Sequence, residues 1–559
     1  MGGRAPIGQA ALGDGAGGGG SESMETKDPA LSRRLSGVDA AFIYLERKEI
    51  PLGVAAVCVF GRAIPFRAFV RNMDARMRLL PRCRQVVVAP PYDAGYPTWE
   101  DDPHFDIRRH IHQVHLEAPG GQAELEALSG RILSQLLDRS MPLWDIHVVD
   151  RLERGRGALI VRIHHSLVDG ISGMAFLNAL FDSQPEGPEA IVEPPARTPH
   201  RPAPEPSLAG AIASGLRSSL EHLIEVEAGV LEITKTLWDD VKEAASLLPE
   251  MLGAVERLPF NKPCGGDRKF CWADFDFSEA QAIRASAGGS VNDVVLAVLT
   301  RAISRYVELH GQTVVNRLIR VVCPVNIRRE DDKTAGNQIS FLPVVLPLDL
   351  EDPVRMLQAV TARTAIMKRS RAADLVALAA SWLGVAPPPV QAMLWRGISG
   401  VTLPLPLFNI ICTNVPGPRE PLYCLGRRMI ASYPQVPTGY ELGINCAVQT
   451  YCGRLSFGLI ADAQVAPDVT RLRDFLYETF DELCRATGVR KAARRPRPRR
   501  AKTSRPAEPA PEPAAAVRGK RPRRAKPAEP AAPTVVEPAP EAVAAVPPAP
   551  ESMNAEASA

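Results

Sequence analysis

The chain has 559 residues, 45% of them hydrophobic, 23% charged and 6% aromatic. That is enough apolar content for a buried core and too much length for one small module. A net charge of +3 gives no global attraction to nucleic acid, and the ten cysteines form no CxxC pair, so neither a zinc ribbon nor a disulfide framework is expected. Several cysteines sit inside apolar runs (Cys58, Cys323, Cys412) and read as reduced, buried thiols of a cytosolic protein.

In chain order, residues 1–30 are Gly-rich and expected to be disordered, with Met24 as a second candidate start and no signal-peptide pattern. Residues 31–182 alternate strand-like and helical segments and read as a first αβ domain. Within it LWDIHVVD (143–150), a polar RLERGRG turn and ALIVRIHH (158–165) predict a hairpin. Residues 183–260 begin Pro-rich, as expected of a linker, and continue as a helical stretch, Leu208 to Leu258. A second αβ domain spans residues 261–489. There SVNDVVLAVLTRAISRYVELHG predicts a strong helix, with Ser290 as N-cap, Asp293 three residues on and Gly311 ending it. Val291, Val294, Val295, Val298, Ala302, Tyr306 and Leu309 follow the helical period. LGINCAVQTYCGRLSFGLIADA predicts a second hairpin turning at Tyr451–Gly453. Residues 490–559 hold 15 Lys/Arg, 7 Glu and 15 of the 52 prolines, and are expected to be a disordered basic tail that leaves the rest slightly acidic. Its runs RRPRPRR and KRPRRAK attract anions by charge alone, without the aromatics of a nucleic-acid-binding domain.

The longest uncharged stretch, Leu375 to Trp395, is broken by Pro387, Pro388 and Pro389, so no transmembrane helix is expected. That stretch and Val401–Ile411 offer contacts to a lipid surface, with helix packing as the simpler reading. No P-loop, no GxGxxG after a strand, no HExxH and no GxSxG is present, which argues against nucleotide hydrolysis, dinucleotide redox chemistry, zinc proteolysis and a serine hydrolase.

The sharpest feature is His164-His165-Ser166-Leu167-Val168-Asp169-Gly170. It follows an apolar strand and precedes the helical SGMAFLNALF. Adjacent residues on a strand point to opposite faces, His164 with Ala158, Ile160 and Arg162, and His165 with Leu159, Val161 and Ile163. If the strand continues that far, only one histidine faces a reaction chamber. Histidine is a suitable base near neutral pH. Asp169 is in reach of the loop, either beside the histidine or tying down a basic residue, and Gly170 permits a sharp bend.

HHSLVDG resembles the signature of the acyl-CoA-dependent acyltransferase superfamily, which has the chloramphenicol-acetyltransferase-like fold and includes peptide-synthetase condensation domains. LSGVDAAFIYLE (35–46), MPLWD (141–145), VNDVVLA (291–297), GNQIS (336–340) and NVPGP (414–418) are similar to blocks of the bacterial wax ester synthase/diacylglycerol acyltransferase family. The resemblance runs in order over about residues 31–488. Thr413 departs from it, standing where the family usually has Ser, and the Gly-rich start and basic tail lie outside it.

The resemblance implies an α/β fold of two chloramphenicol-acetyltransferase-like domains joined by a helical crossover, with the site in a tunnel between them. Acyl-CoA and a diacylglycerol or fatty alcohol would be the substrates, with no cofactor and no metal. His165 would be the general base, with His164, Asp169 and Gly170 shaping its loop. Asn292 would support the site across the domain interface or be an inert first-turn residue, while Asp293 is already explained as a helix cap. Pro142, Leu143 and Trp144 would line an acyl channel or simply pack the core. Asn414, Pro416 and Gly417 would border the CoA or acyl entrance or form a structural turn. The enzyme would be cytoplasmic, peripheral at a membrane or lipid droplet. Two further readings remain: a carrier-dependent condensation-type enzyme, and a non-catalytic lipid-binding or droplet protein of the same fold.

Overall fold

The computed structural model describes residues 33–167, 176–177, 179–186, 210, 215–217, 219–220, 223–224, 255–326, 339–369, 386–398 and 406–489. The first half starts with helix α1 (Gly37–Leu45), whose N-cap Ser36 accepts a hydrogen bond from the Asp39 N–H. Strand β1 (Gly53–Phe60), helix α2 (Phe66–Met77), the small ribbon β2 (Gln85–Val88) and β3 (Thr98–Asp101), strand β4 (Ile111–His115) and helix α3 (Gln122–Leu133) follow. The predicted hairpin is β5 (Trp144–Leu152) and β6 (Arg156–His164), which turns through Arg154 and Gly155 in the left-handed region.

Alternation along β6 sorts its side chains onto two faces. Leu159, Val161 and Ile163 pack with Phe69, Met73 and Met77 of α2. Ala158 and Ile160 pack with Leu125, Leu128 and Ile132 of α3. Both faces are covered, which is why the strand reads as nearly continuous apolar sequence.

The second half contains β7 (Arg268–Asp276), α4 (Phe277–Ala287), α5 (Val291–Leu309), β8 (Leu318–Asn326), β9 (Ile339–Pro347), α6 (Pro353–Arg369), α7 (Pro388–Ile398) and β10 (Ile410–Val415). After β11 (Tyr423–Cys424) and β12 (Arg427–Gln435) come β13 (Ile444–Tyr451), β14 (Arg454–Asp462) and α8 (Val469–Ala486). β13 and β14 are the second predicted hairpin, turning at Cys452 and Gly453 with positive φ. The α5 helix is capped as predicted by Ser290 and Asp293. It is buried more widely than one stripe: Leu296, Leu299, Ile303 and Val307 are as inaccessible as Val294, Val295, Val298, Ala302 and Tyr306. Val291, Asn292 and Arg305 are half-buried, and the helix emerges at its end, with Leu309 exposed.

Two six-stranded sheets result, ordered β11-β12-β1-β6-β5-β4 and β7-β14-β13-β10-β8-β9. β12 comes from the second half of the sequence yet pairs antiparallel with β1, with Ala55 opposite Gln435 and Val59 opposite Ala431. Buried Arg268 adds a second tie. Its Nη1 donates to Asp462 at 2.6 Å, its Nη2 to the Glu49 and Thr438 carbonyls at 2.7 and 2.9 Å, and its backbone N–H to Ser134 Oγ.

Among the described residues no single helix is long and apolar enough to cross a membrane. The pair α4–α5, which passes by length and composition together, is bent by 97° and contributes to the second apolar core. All ten cysteines are free and eight are buried. Most of the predicted crossover helix, the Gly-rich start and the basic tail lie outside the described residues.

Candidate active site

β6 ends at His164, and His165 stands in the turn that follows, so strand parity stops between them. The pair is seated between two carbonyls: the His164 N–H donates to Leu143 O and the His165 N–H to Leu52 O, each at 2.9 Å. The His165 ring stacks on Phe42 of α1, centroids 4.1 Å apart and planes 22° from parallel. His165 is half-buried and His164 is fully buried. Ser166 N–H donates to His164 Nδ1 at 3.2 Å, and Ser166 Oγ lies 2.7 Å from the same nitrogen. Nε2 of His164 faces Glu46 Oε1 at 3.4 Å, an electrostatic contact longer than a normal N–H···O bond. Asp169 and Gly170 lie outside the described residues.

Glu46 was not legible as a site residue. It follows α1 and is buried, with Leu52 N–H donating to Oε1 at 3.1 Å and Arg139 Nη2 to Oε2 at 3.2 Å. Burial pushes its carboxyl upward, but the His164 contact, the Leu52 N–H and the Arg139 charge outweigh that and hold it below the usual range. Arg139 also donates to Ile43 O at 2.8 Å, closing the carbonyl end of α1.

Pro142 and Leu143 lead into β5, which Trp144 opens. Leu143 packs with Leu35, Ala40, Ile43 and Tyr44. Trp144 is buried beneath the other face, donates Nε1–H to Cys83 O at 2.7 Å and stacks on His110 at 4.4 Å. Asp145, next in sequence, pairs with buried Arg162 on β6 through one edge of the guanidinium, Nε to Oδ1 at 2.8 Å and Nη2 to Oδ2. Thus the MPLWD block packs two cores, seats His164 through Leu143 O, and locks β5 to β6 beside the histidines.

In the second half Asp293 Oδ2 accepts from the Ser290 N–H at 2.7 Å and Oδ1 from Thr364 Oγ1 at 2.7 Å, so this carboxylate caps α5 and fastens α6 to it. Asn292 points elsewhere: its Oδ1 accepts from Asn414 Nδ2 at 3.3 Å, joining the VNDVVLA and NVPGP blocks within one half. Asn414 is the last residue but one of β10, Pro416 follows the strand, and the Gly417 N–H donates to Thr450 Oγ1 at 3.1 Å. A Cβ on Gly417 would sit 2.0 Å from Thr450 O, so glycine is required there by close backbone approach. Of the GNQIS block, residues 336–338 lie outside the described residues.

Burial pushes the thiols of Cys58, Cys83 and Cys424 up to about 12, which leaves them inert as nucleophiles near neutral pH. Among the described residues no group of three or more His, Cys, Asp and Glu side chains is placed to hold a metal ion. Among the described residues of the motif, the group placed for proton transfer is the His165 imidazole on its seat of Leu52 O and Phe42.

Comparison with known proteins agrees with this architecture. The wax ester synthase/diacylglycerol acyltransferase catalytic domain matches residues 35–295, and the WS/DGAT C-terminal domain matches residues 335–484. A Mycobacterium tuberculosis protein provisionally named diacylglycerol O-acyltransferase Rv1760 is 28% identical over 465 residues, covering 81% of this chain and 90% of the relative. Another from the same organism, provisionally named diacylglycerol O-acyltransferase Rv3480c, is 30% identical over 500 residues, covering 82% and 98%. Among solved structures, the wax ester synthase/diacylglycerol acyltransferase of Marinobacter aquaeolei superposes with a TM-score of 0.56 at 22% identity, covering 81% of this chain and all of that one. A starter condensation domain of rhizomide synthetase, solved with C8-CoA and Leu-SNAC, superposes with a TM-score of 0.50 at 14% identity, covering 81% and 95%. Both family domains are matched in order, and together they span well over half the sequence: the chain belongs to the wax ester synthase/diacylglycerol acyltransferase family and is an acyltransferase of that family.

Proposed function

We propose that the protein transfers a fatty acyl group from acyl-CoA to the hydroxyl of a diacylglycerol or a long-chain alcohol, giving triacylglycerol or wax ester and free CoA. The observation that carries the reading is His165, standing just past the end of β6 on a seat built from Leu52 O and Phe42, in a chain matched by both domains of the family. With both substrates bound, the His165 imidazole takes the proton of the acceptor hydroxyl. Its oxygen forms the new C–O bond at the thioester carbonyl. The tetrahedral oxyanion collapses, the C–S bond breaks, and the CoA thiolate takes the proton back from the imidazolium. No covalent acyl-enzyme is needed. Because the acceptors are insoluble, the reading puts the reaction at a membrane or droplet surface facing the cytoplasm.

The test is direct. Purified protein is given palmitoyl-CoA with hexadecanol or with a diacylglycerol, CoA release is followed, and the ester is identified by chromatography. Ester from either acceptor supports the reading and ranks the two. A folded protein that releases no CoA with either points instead to a carrier-bound donor or to lipid binding without turnover.

Two further results follow from the same assay. Asn292→Ala should reduce kcat roughly fivefold, the scale of one lost hydrogen bond of about 1 kcal/mol, by releasing Asn414. An unchanged rate would make the Asn292–Asn414 pair a scaffold contact. Deleting residues 490–559, whose composition is basic and proline-rich, should leave kcat on detergent-solubilised substrate within about twofold. Loss of soluble protein on that deletion would show that the tail supports the fold.

A further inference from the structure

We propose that Glu46 is a positioning residue for the acyl transfer: it fixes which nitrogen of His164 carries the proton and, through Leu52, holds the backbone of His165. The inference rests on the acyl-transfer reading only for its kinetic readout.

The argument starts from burial. The Glu46 and His164 side chains are 2% and 0% exposed, so each needs compensating partners. A neutral imidazole has one N–H and one bare nitrogen, and its surroundings choose between them. Ser166 N–H points at His164 Nδ1 from 3.2 Å, which makes Nδ1 the acceptor. The Ser166 hydroxyl, 2.7 Å away, is then a second donor to it. The ring proton therefore sits on Nε2, facing the Glu46 carboxylate at 3.4 Å. The opposite tautomer would set an N–H against an N–H at Ser166 and a lone pair against a carboxylate at Glu46.

This choice has a mechanical result. His164 and Ser166 flank His165, and the bond from Ser166 N–H to the His164 ring tightens the turn that presents it. The Leu167 N–H donates to His164 O at 3.0 Å and closes the same turn. A second arm starts from the same carboxylate oxygen. Glu46 Oε1 holds the Leu52 N–H, and Leu52 O accepts from His165 N. A third contact shares the helix: Phe42, one turn before Glu46, stacks on the His165 ring. Arg139, on the other carboxylate oxygen, keeps Glu46 ionised and aimed. Glu46 touches no reacting atom in this scheme and acts through His164 and Leu52.

The first test uses the full-length wild-type protein. Histidine-selective 15N NMR at neutral pH, with the His164 resonances assigned by their absence in His164→Asn, should show His164 protonated on Nε2 and bare on Nδ1. A proton on Nδ1 overturns the proposal. The second test is Glu46→Gln, which keeps the shape and an acceptor for Leu52 while removing the charge. Its kcat should fall about tenfold with KM unchanged, as expected for a displaced base. In a His164→Ala background the same change should cost less than about twofold, because the path through His164 is already gone. A wild-type kcat in Glu46→Gln, or an equal loss in both backgrounds, overturns the proposal. If the wild-type protein makes no ester at all, the acyl-transfer reading fails, and the tautomer measurement still decides the role of Glu46.

Discussion

Replacing His165 by alanine should lower turnover at least about a hundredfold and leave the fold intact, because a general base is removed while little packing is lost. The backbone bond from His165 N–H to Leu52 O does not depend on the side chain. The ring is half-buried and stacks on Phe42, so truncation opens a space that is not fully enclosed. Activity and stability are therefore separable here. The measurement is kcat from CoA release, with ester confirmed, beside a thermal melt of the same preparation. A folded variant with near-normal turnover would remove His165 from the mechanism.

Asp145→Asn should be the most destabilising single change near the site, by about 3–5 kcal/mol, the cost of leaving a buried charge without its partner. Asp145 and Arg162 are 8% and 5% exposed. The guanidinium also donates from Nη1 to Ile132 O at 2.5 Å and to Gln135 O at 2.7 Å, closing the carbonyl end of α3. With asparagine at 145, that positive charge stays buried against carbonyls alone. The pH dependence follows from the direction of the Asp145 shift. Burial raises its pKa, and the Arg162 hydrogen bonds and the nearby His147 more than offset that, holding it well below the usual carboxylate range. A depressed folded pKa contributes stability that is complete above the unfolded value of about 3.9 and fades as pH falls toward the folded one. The gap between wild type and Asp145→Asn should thus be level from about pH 7 down to about pH 5 and shrink only in stronger acid. Urea unfolding at several pH values measures it. A gap under about 1 kcal/mol at neutral pH would show that the pair contributes little.

Short-range signals were the legible ones. Both hairpins were readable because each turn carries residues suited to positive φ between runs of β-formers, and α5 was readable from Ser290, Asp293 and its apolar period. The histidine pair stood out because two histidines, an acid and a glycine after an apolar strand have few structural uses. Glu46 did not stand out. Its meaning depends on Arg139, Leu52 and His164, which lie up to 118 residues away in sequence and meet only in the folded chain. The width of α5 burial was equally hidden, since a period identifies one covered face and cannot count the elements on the others. Asn292 reads from sequence as a support for the site across the domain interface or as an inert first-turn residue; its described partner is Asn414 of its own half. Nor does any local pattern in residues 427–435 announce that this strand joins the first sheet instead of the second.

The placement of β12 sets a timetable for synthesis. β1 and β6 are both synthesised once residue 164 is made, yet the other edge of β1 waits for residues 429–435, about 270 residues later. At ordinary elongation rates the wait is on the order of tens of seconds. Through that interval the nascent first sheet shows an unpaired apolar edge, Ala55 to Phe60, the kind of template that captures other chains. Co-translational protection of that edge should therefore govern the yield of soluble protein, and a gene cut between the two sequence halves should produce a sticky fragment, not half an enzyme.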